Sequence, residues 1–183
     1  MLARIEALAN EYGVHIANIA HAGDGNLHPL LISPHDADAA FQRRILEVTA
    51  TIPRGEVRPY GWVARQAGNA AAVRAAGTAL GHNPVPFVVP CHRVVRSDWT
   101  LGQYSAGGPE VKDRILRWEG CDVAHIEQLA ANARFFSHPG SGAFCLPACG
   151  TLSGTNVADL IAFRDAPSAL AAGYIACDDC RPA

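Results

Sequence analysis

The sequence predicts an α+β protein, a mainly helical centre with a helix-turn-helix followed by a small four-cysteine segment. Three observations lead there. Between residues 40 and 120, helix-length stretches alternate with glycine and asparagine breaks. A proline-broken apolar run, Val85-Pro86-Phe87-Val88-Val89, ends on Pro90-Cys91-His92-Arg93. Four of the six cysteines gather near the C-terminus as Cys145-x3-Cys149 and Cys177-x2-Cys180. A chain of 183 residues holds one ordinary domain, or one small domain with appendages.

Residues 1–39 read as a helix from Leu2 to about Tyr12, a strand from Val14 to Ala20, and a Gly/His loop. The centre, residues 40–120, is entered by a helix from Asp36, an N-cap, to Ile52. Phe41, Ile45, Val48 and Ile52 share its apolar face. A second helix spans Tyr60 to Ala67 and stops at Gly68; a third starts on Asn69 and ends near Gly81. Two short helices across a Gly-Asn turn predict the helix-turn-helix. The third contains Ala70, Ala71, Ala72, Ala75, Ala76 and Ala79. That run reflects helix propensity, or small side chains that let a helix enter a narrow groove. Pro109 opens a fourth helix and Gly120 closes it. Residues 121–183 form the last segment, with a Gly/Pro/Ser stretch from His138 to Gly142 ahead of the cysteines.

Composition narrows the function classes. The 49% apolar fraction suits a globular chain. No apolar run approaches the roughly 20 residues of a membrane span. The start, Met1-Leu2-Ala3-Arg4-Ile5-Glu6, meets charge at once and lacks a signal core. A soluble, cytoplasmic protein is expected. The net charge of −2 conceals a pattern. Residues 1–39 carry 1 basic and 5 acidic side chains, residues 40–120 carry 11 and 6, and residues 121–183 carry 3 and 6. Only the segment holding Cys91 has the sign a polyanion favours. Its basic charge is arginine apart from Lys112, the one lysine of the chain.

Cysteine is the side chain most readily made nucleophilic, since an ordinary thiol lies about one to two pH units from its thiolate at neutral pH. A nearby base brings that thiolate within reach. Around Cys91 lie Gly55-Glu56-Val57 with Tyr60, Ala72-Val73-Arg74-Ala75-Ala76-Gly77, Asn83-Pro84-Val85-Pro86, Pro90-Cys91-His92-Arg93-Val94-Val95, Gly102-Gln103-Tyr104-Ser105 and Glu119-Gly120. With these six stretches in order, residues 40–120 resemble the C-terminal domain of the O6-alkylguanine-DNA alkyltransferases. The resemblance implies one irreversible transfer of a methyl or alkyl group to Cys91, from O6 of guanine or O4 of thymine in double-stranded DNA. It implies that a water joins Cys91 to His92, that Glu119 fixes the His92 tautomer, and that Asn83 braces the turn. Tyr60 would protonate the departing purine or press the flanking phosphate. Arg74 would fill the gap left by the extruded nucleotide, with Ala72 and Arg93 also on the DNA, and Tyr104, Ser105 and Val94 would line the lesion pocket. The alternative is a non-catalytic alkyltransferase-like lesion binder; members of that group replace the cysteine, which is retained here.

The C-terminal cysteines have metal spacing. With Phe163, Ala169-Leu170-Ala171-Ala172-Gly173-Tyr174 and Cys177-Asp178-Asp179-Cys180-Arg181-Pro182, they resemble the metal-binding domain of the adaptive-response regulator Ada. Structural zinc on Cys145, Cys149, Cys177 and Cys180 is implied. In Ada the first cysteine also accepts methyl groups from DNA phosphotriesters. Here Leu146 stands where Ada has an arginine and the segment is acidic, so a structural bead is expected, with Cys145 as acceptor the alternative.

His21-Ala22-Gly23-Asp24-Gly25-Asn26-Leu27-His28-Pro29 resembles a motif in the C-terminal cap domain of FAD-linked oxidases. The FAD-binding domain and most of the cap have no counterpart in the sequence. Residues 1–39 are therefore expected to be a fusion remnant, without FAD or another organic cofactor.

Overall fold

The order of elements follows from where glycine, proline and capping side chains interrupt apolar periodicity. In a computed structural model the described residues are 15–20, 27–32 and 37–182. The expected helix from Leu2 to Tyr12, the loop at His21 to Asn26 and the Asp36 cap lie outside them. Strand β1 (His15–Ala20) falls within the predicted strand. It pairs antiparallel with β2 (Leu27–Ile32), which was not expected, with His15 opposite Ile32 and Ala20 opposite Leu27.

Helix α1 (Ala37–Ala50) buries Phe41, Ile45 and Thr49. Ile52 is also buried but lies past the helix end, where the Thr51 and Ile52 amides reach back to the Val48 and Thr49 carbonyls. Strand β3 (Arg58–Pro59) leads directly into α2 (Tyr60–Gln66). That helix stops where predicted, because Gly68 takes φ +95° and its amide returns to Arg65. Helix α3 (Val73–Gly81) begins later than predicted. The Asn69 side chain accepts from the Ala71 amide and stabilises a turn instead of starting the helix. Ala70 and Ala71 are therefore exposed turn residues, whereas Ala76 and Ala79 pack in the core. Helices α1, α2 and α3 touch one another, so the helix-turn-helix is built on a three-helix core.

Beyond α3 a 3₁₀ turn, Cys91–Arg93, runs into β4 (Val94–Val95). Parallel pairing of β3 with β4 sets Arg58 opposite Val94 and Pro59 opposite Val95. Helix α4 (Gly108–Trp118) has Pro109 in its first turn, and Gly120 takes φ +86° beyond its end, as the sequence predicts. An unexpected helix, α5 (Val123–Asn132), follows. The Asp122 side chain accepts from the His125 amide as its cap, and Val123, Ile126 and Leu129 are its buried face.

The last segment is a small sheet. Strand β5 (Phe135–Ser137) pairs antiparallel with β7 (Ile161–Phe163), and β6 (Ala143–Phe144) pairs parallel with β8 (Ile175–Ala176). Phe136 and Cys145 exchange backbone hydrogen bonds, which joins the two pairs. Helix α6 (Ala166–Ala171) sits between β7 and β8, capped reciprocally by Asp165 and Ser168. Phe135, Phe136, Phe144 and Leu152 continue the buried cluster begun by Ile45, Val63 and Leu116. The expected bead is thus packed onto the helical centre.

Gly107, the N-cap of α4, packs closely against the first turn of its own helix. It takes φ +126°, and a Cβ there would lie 2.9 Å from Val111 Cγ2. Gly107→Ala is expected to cost about 1–3 kcal/mol, read as a lower urea midpoint at unchanged m-value.

Candidate active site

The turn bearing Cys91 is held by backbone and one amide side chain. The Cys91 amide donates to Val89 O at 2.8 Å, and the Arg93 amide to Pro90 O at 2.9 Å. Asn83 spans the whole loop. Its Nδ2 donates to Val89 O at 2.7 Å and to Cys91 Sγ at 3.1 Å, while its Oδ1 accepts from the Val85 amide at 3.2 Å. The prolines at positions 84, 86 and 90 carry no amide hydrogen, so the loop satisfies few of its own carbonyls and Asn83 takes that task.

Behind the turn lies a buried charge arrangement. His92 is 1% exposed, and its Nε2 lies 3.1 Å from Glu119 Oε1. Arg93 forks onto the same carboxylate, Nε to Oε2 at 2.8 Å and Nη2 to Oε1 at 2.7 Å, and its Nη1 donates to Ile52 O at 2.6 Å. Burial alone would raise the Glu119 pKa, but hydrogen bonds from Arg93 and His92 outweigh it and hold the carboxyl below its ordinary value. His92 is pushed below its ordinary value by burial, which exceeds the opposing pull of Glu119. The result is a neutral imidazole whose Nε2–H donates to a carboxylate. Nδ1 then carries the lone pair, and that buried nitrogen has no partner among the described residues.

Two phenols flank the thiol. Burial raises the pKa of Tyr60 and of Tyr104, and the charge of a Cys91 thiolate raises both further. Both are proton donors across the neutral range. The Tyr104 ring stands edge-on to His92 at 6.3 Å between centroids, and Tyr104 Oη is buried without a partner among the described residues. Phe87, 63% exposed at φ +74°, tilts over His92 from the solvent side at 5.9 Å.

The other expected site residues divide by location. Arg74 is exposed in the first turn of α3, with no salt bridge among the described residues, and Ala72 is its half-buried N-cap. Ser105 is exposed beside Tyr104. Two expectations are corrected. Arg93 does not face outward to DNA, because its guanidinium is committed to Glu119 and Ile52. Val94 is 0% exposed and belongs to the core, so it backs the site without lining an open pocket. A cleft of about 690 Å³ between Glu56, Glu119 and the Cys149–Val157 loop lies behind the charge arrangement, and Cys91 does not line it.

Lys112 was missed as a site residue. It is 0% exposed, with its pKa lowered to about 8 by burial, and its Nζ donates to Val94 O at 2.6 Å and to Leu101 O. It ties the strand after the Cys91 turn to α4. Its uniqueness in an arginine-rich segment was the available signal. Cys121, 3% exposed with its thiol pushed up to about 12 by burial, is an inert core residue.

The second cluster is Cys145, Cys149, Cys177 and Cys180, all buried, with the four sulfurs within 4.8 Å of one another. The parallel β6–β8 pairing creates it. Cys145 and Cys177 follow paired strands, and the Cys177 amide donates to Phe144 O at 3.0 Å. The Cys149 amide turns back to Leu146 O at 3.0 Å, and the Leu146 amide donates to Cys180 Sγ at 3.3 Å. Hydrogen bonds from Cys145 and Cys180 hold the Cys149 thiol below its ordinary value, and the same bonds push the Cys145 and Cys180 thiols up, so the cluster by itself holds one negative sulfur. These four cysteines could hold a metal ion.

Residues 40–121 match the family described as 6-O-methylguanine DNA methyltransferase, DNA binding domain. Residues 1–55 match the family described as FAD linked oxidases, C-terminal domain. The methylated-DNA–protein-cysteine methyltransferase of Methanothermobacter thermautotrophicus is 49% identical over 83 residues, covering 45% of this chain and 46% of that protein. The Rattus norvegicus protein of the same name is 42% identical over 100 residues, covering 54% and 48%. The chain therefore spans about half the length of the curated relatives it matches. Among solved structures, Mycobacterium tuberculosis OGT in complex with DNA is 45% identical over 44% of this chain and 48% of its own, with a TM-score of 0.42.

The lowered His92 pKa has a sign that can be checked. The folded state favours neutral His92, so this contribution to stability is complete above the ordinary value of 6.5 and is lost as pH falls below it. The Glu119 contribution is lost at lower pH still, as its depressed folded value is passed. Urea unfolding from pH 7.5 down to about 5 should show stability falling, with a shallower fall in His92→Gln.

Proposed function

We propose that this alkyltransferase-family domain moves an alkyl group from O6 of guanine in double-stranded DNA to Cys91, once per molecule. The observation that carries the reading is the ordered set Asn83–Cys91 and His92–Glu119, with His92 Nδ1 left as a buried acceptor. The Cys91 proton passes to His92 through a bridging water, and Glu119 stabilises the cation that results. The sulfur attacks the alkyl carbon in line, the C–S bond forms, and the C–O bond breaks with its electron pair on the purine. Tyr60, whose raised pKa keeps its proton available, supplies the proton that the departing purine takes up. The His92 proton then returns through water to the Tyr60 phenolate, so one proton has left the thiol, one has reached the base, and both side chains are restored. The thioether does not revert, which limits each molecule to one turnover.

Extrusion of the base costs a few kcal/mol, less at a mispaired lesion. Arg74, exposed at the start of α3, would occupy the space left in the duplex, with half-buried Ala72 allowing close approach. Tyr104 and Ser105 stand by the lesion. In this reading residues 40–120 carry the transfer and residues 121–183 are a metal-binding segment. Residues 1–39 add no flavin chemistry. No helix among the described residues is long and apolar enough to cross a membrane, which fits a cytoplasmic setting.

The four cysteines suit zinc, whose tetrahedral preference and affinity for thiolate match a buried four-sulfur set. Zinc would tie the 145–149 and 177–180 loops together and keep their sulfurs ionised. Cys145 is 4% exposed and sits 3.3 Å from Thr151 Oγ1, which supports a structural role over a second acceptor.

Intact-protein mass spectrometry after mixing with an O6-methylguanine duplex tests the proposal. One added methyl is expected, absent in Cys91→Ala. Tight lesion binding with no mass change would favour a recognition module, and a second methyl lost in Cys145→Ala would reveal phosphotriester transfer. Asn83→Ala is expected to slow transfer by about tenfold or more. Native mass spectrometry should find one zinc per chain, lost in Cys149→Ser.

A further inference from the structure

Arg58 and Trp62 are buried side chains that the transfer chemistry does not use, and both end on the four-cysteine segment. Trp62 is 5% exposed; its Nε1 donates to Cys180 O at 2.8 Å and to Arg181 O at 3.1 Å. Two guanidinium groups lie over its ring, Arg58 at 5.5 Å and Arg181 at 5.9 Å from the centroid. Arg58 is 1% exposed, pairs with Glu56, and donates through Nη1 to Val57 O and, at 3.3 Å, to Ala148 O, beside Cys149. Gly150, the next residue of that loop, lies so close that a Cβ would come within 2.7 Å of Glu56 Oε1. Three of the four carbonyls that accept from these side chains thus belong to a cysteine of the cluster or its neighbour; the fourth is Val57 O.

The same two residues are joined to the acceptor turn. Arg58 is the β3 residue opposite Val94, and the Val94 amide closes the 3₁₀ turn on Cys91 O. Movement of the 145–149 loop deprives a buried guanidinium of an acceptor, a loss the chain can relieve by letting β3 shift. A β3 shift displaces β4, and with it the turn that aims Cys91.

We propose that the metal-loaded four-cysteine segment is an intramolecular clamp on β3 and α2, and that Arg58 and Trp62 are the positioning residues through which it fixes the Cys91 turn. The loops of so small a segment depend on a metal to hold them, so metal loading sets whether the clamp is closed. The effect on transfer rests on the function proposed above; the clamp itself does not.

The test compares the reduced full chain loaded with zinc and stripped by a chelator. Hydrogen exchange is followed in peptides covering 57–59 and 91–95, with α1 as the internal reference. Chelation is expected to speed exchange in both peptides by about tenfold or more while α1 stays protected. Transfer to Cys91 at saturating DNA should slow by about tenfold, with DNA affinity unchanged. Trp62→Phe and Gly150→Leu, still carrying one zinc, should show the faster exchange without chelation. Re-addition of zinc should restore the stripped wild type but not these variants. Faster exchange confined to residues 143–182 would overturn the proposal, as would uniform loss of protection that includes α1. If no form of the protein takes a methyl group, the transferase reading fails, and the exchange measurements still decide the clamp.

Discussion

The Glu119 carboxylate is the constraint on which the site depends. It lies at the end of α4 and is met from one side by the fork of Arg93 and from the other by His92. A buried anion between two such donors is stable only if both are present and aimed. Gly107 and Gly120, at the two ends of α4, fix where that helix begins and stops, and so where the anion lies. Lys112 on the same helix holds the strand that follows the turn. The helix thus serves as a mount: one buried face carries a charge for His92 and another carries a tether for β4.

The Cys91 turn is supported from three directions. Asn83 ties the loop in front of it, Glu119 and Arg93 hold it from behind, and β3 pairs with the strand that leaves it. Only the first two concern the reacting groups. The third leads away, through Arg58 and Trp62, to a segment that gathers four sulfurs within 4.8 Å. A domain of about 80 residues has limited apolar surface to bury. Here the core continues into the C-terminal sheet, where Phe136 and Phe144 are as buried as Ile45.

Much of the helical centre is legible in the sequence because its signals are local. Pro109 and Gly120 bracket α4, and Gly68 ends α2. Asn69 misleads for a local reason as well: its side chain serves a turn as readily as a helix start, and three alanines of high propensity follow it. Helix α5 carries a cap at Asp122 and a Val123–Ile126–Leu129 face, signals present but overshadowed by the cysteines beyond. Among site residues, Arg93 is the instructive case. Its basic charge beside the acceptor suggests phosphate contact, and nothing in the local sequence reveals that a carboxylate 26 residues away claims it.

By itself the sequence determined the chemistry on offer: a cysteine in an Asn–Pro–Cys–His setting, a distant glutamate, two tyrosines, an arginine at a helix start, and four cysteines at metal spacing. These are matters of residue type and spacing, which covalent connection preserves. The tertiary structure decided direction and partnership. It turned Arg93 inward, sank Val94 into the core, left His92 Nδ1 buried without a partner among the described residues, and set Arg58 and Trp62 against the cysteine loops. Those outcomes depend on which buried donors find acceptors across long sequence separations, and only the packed chain balances that requirement.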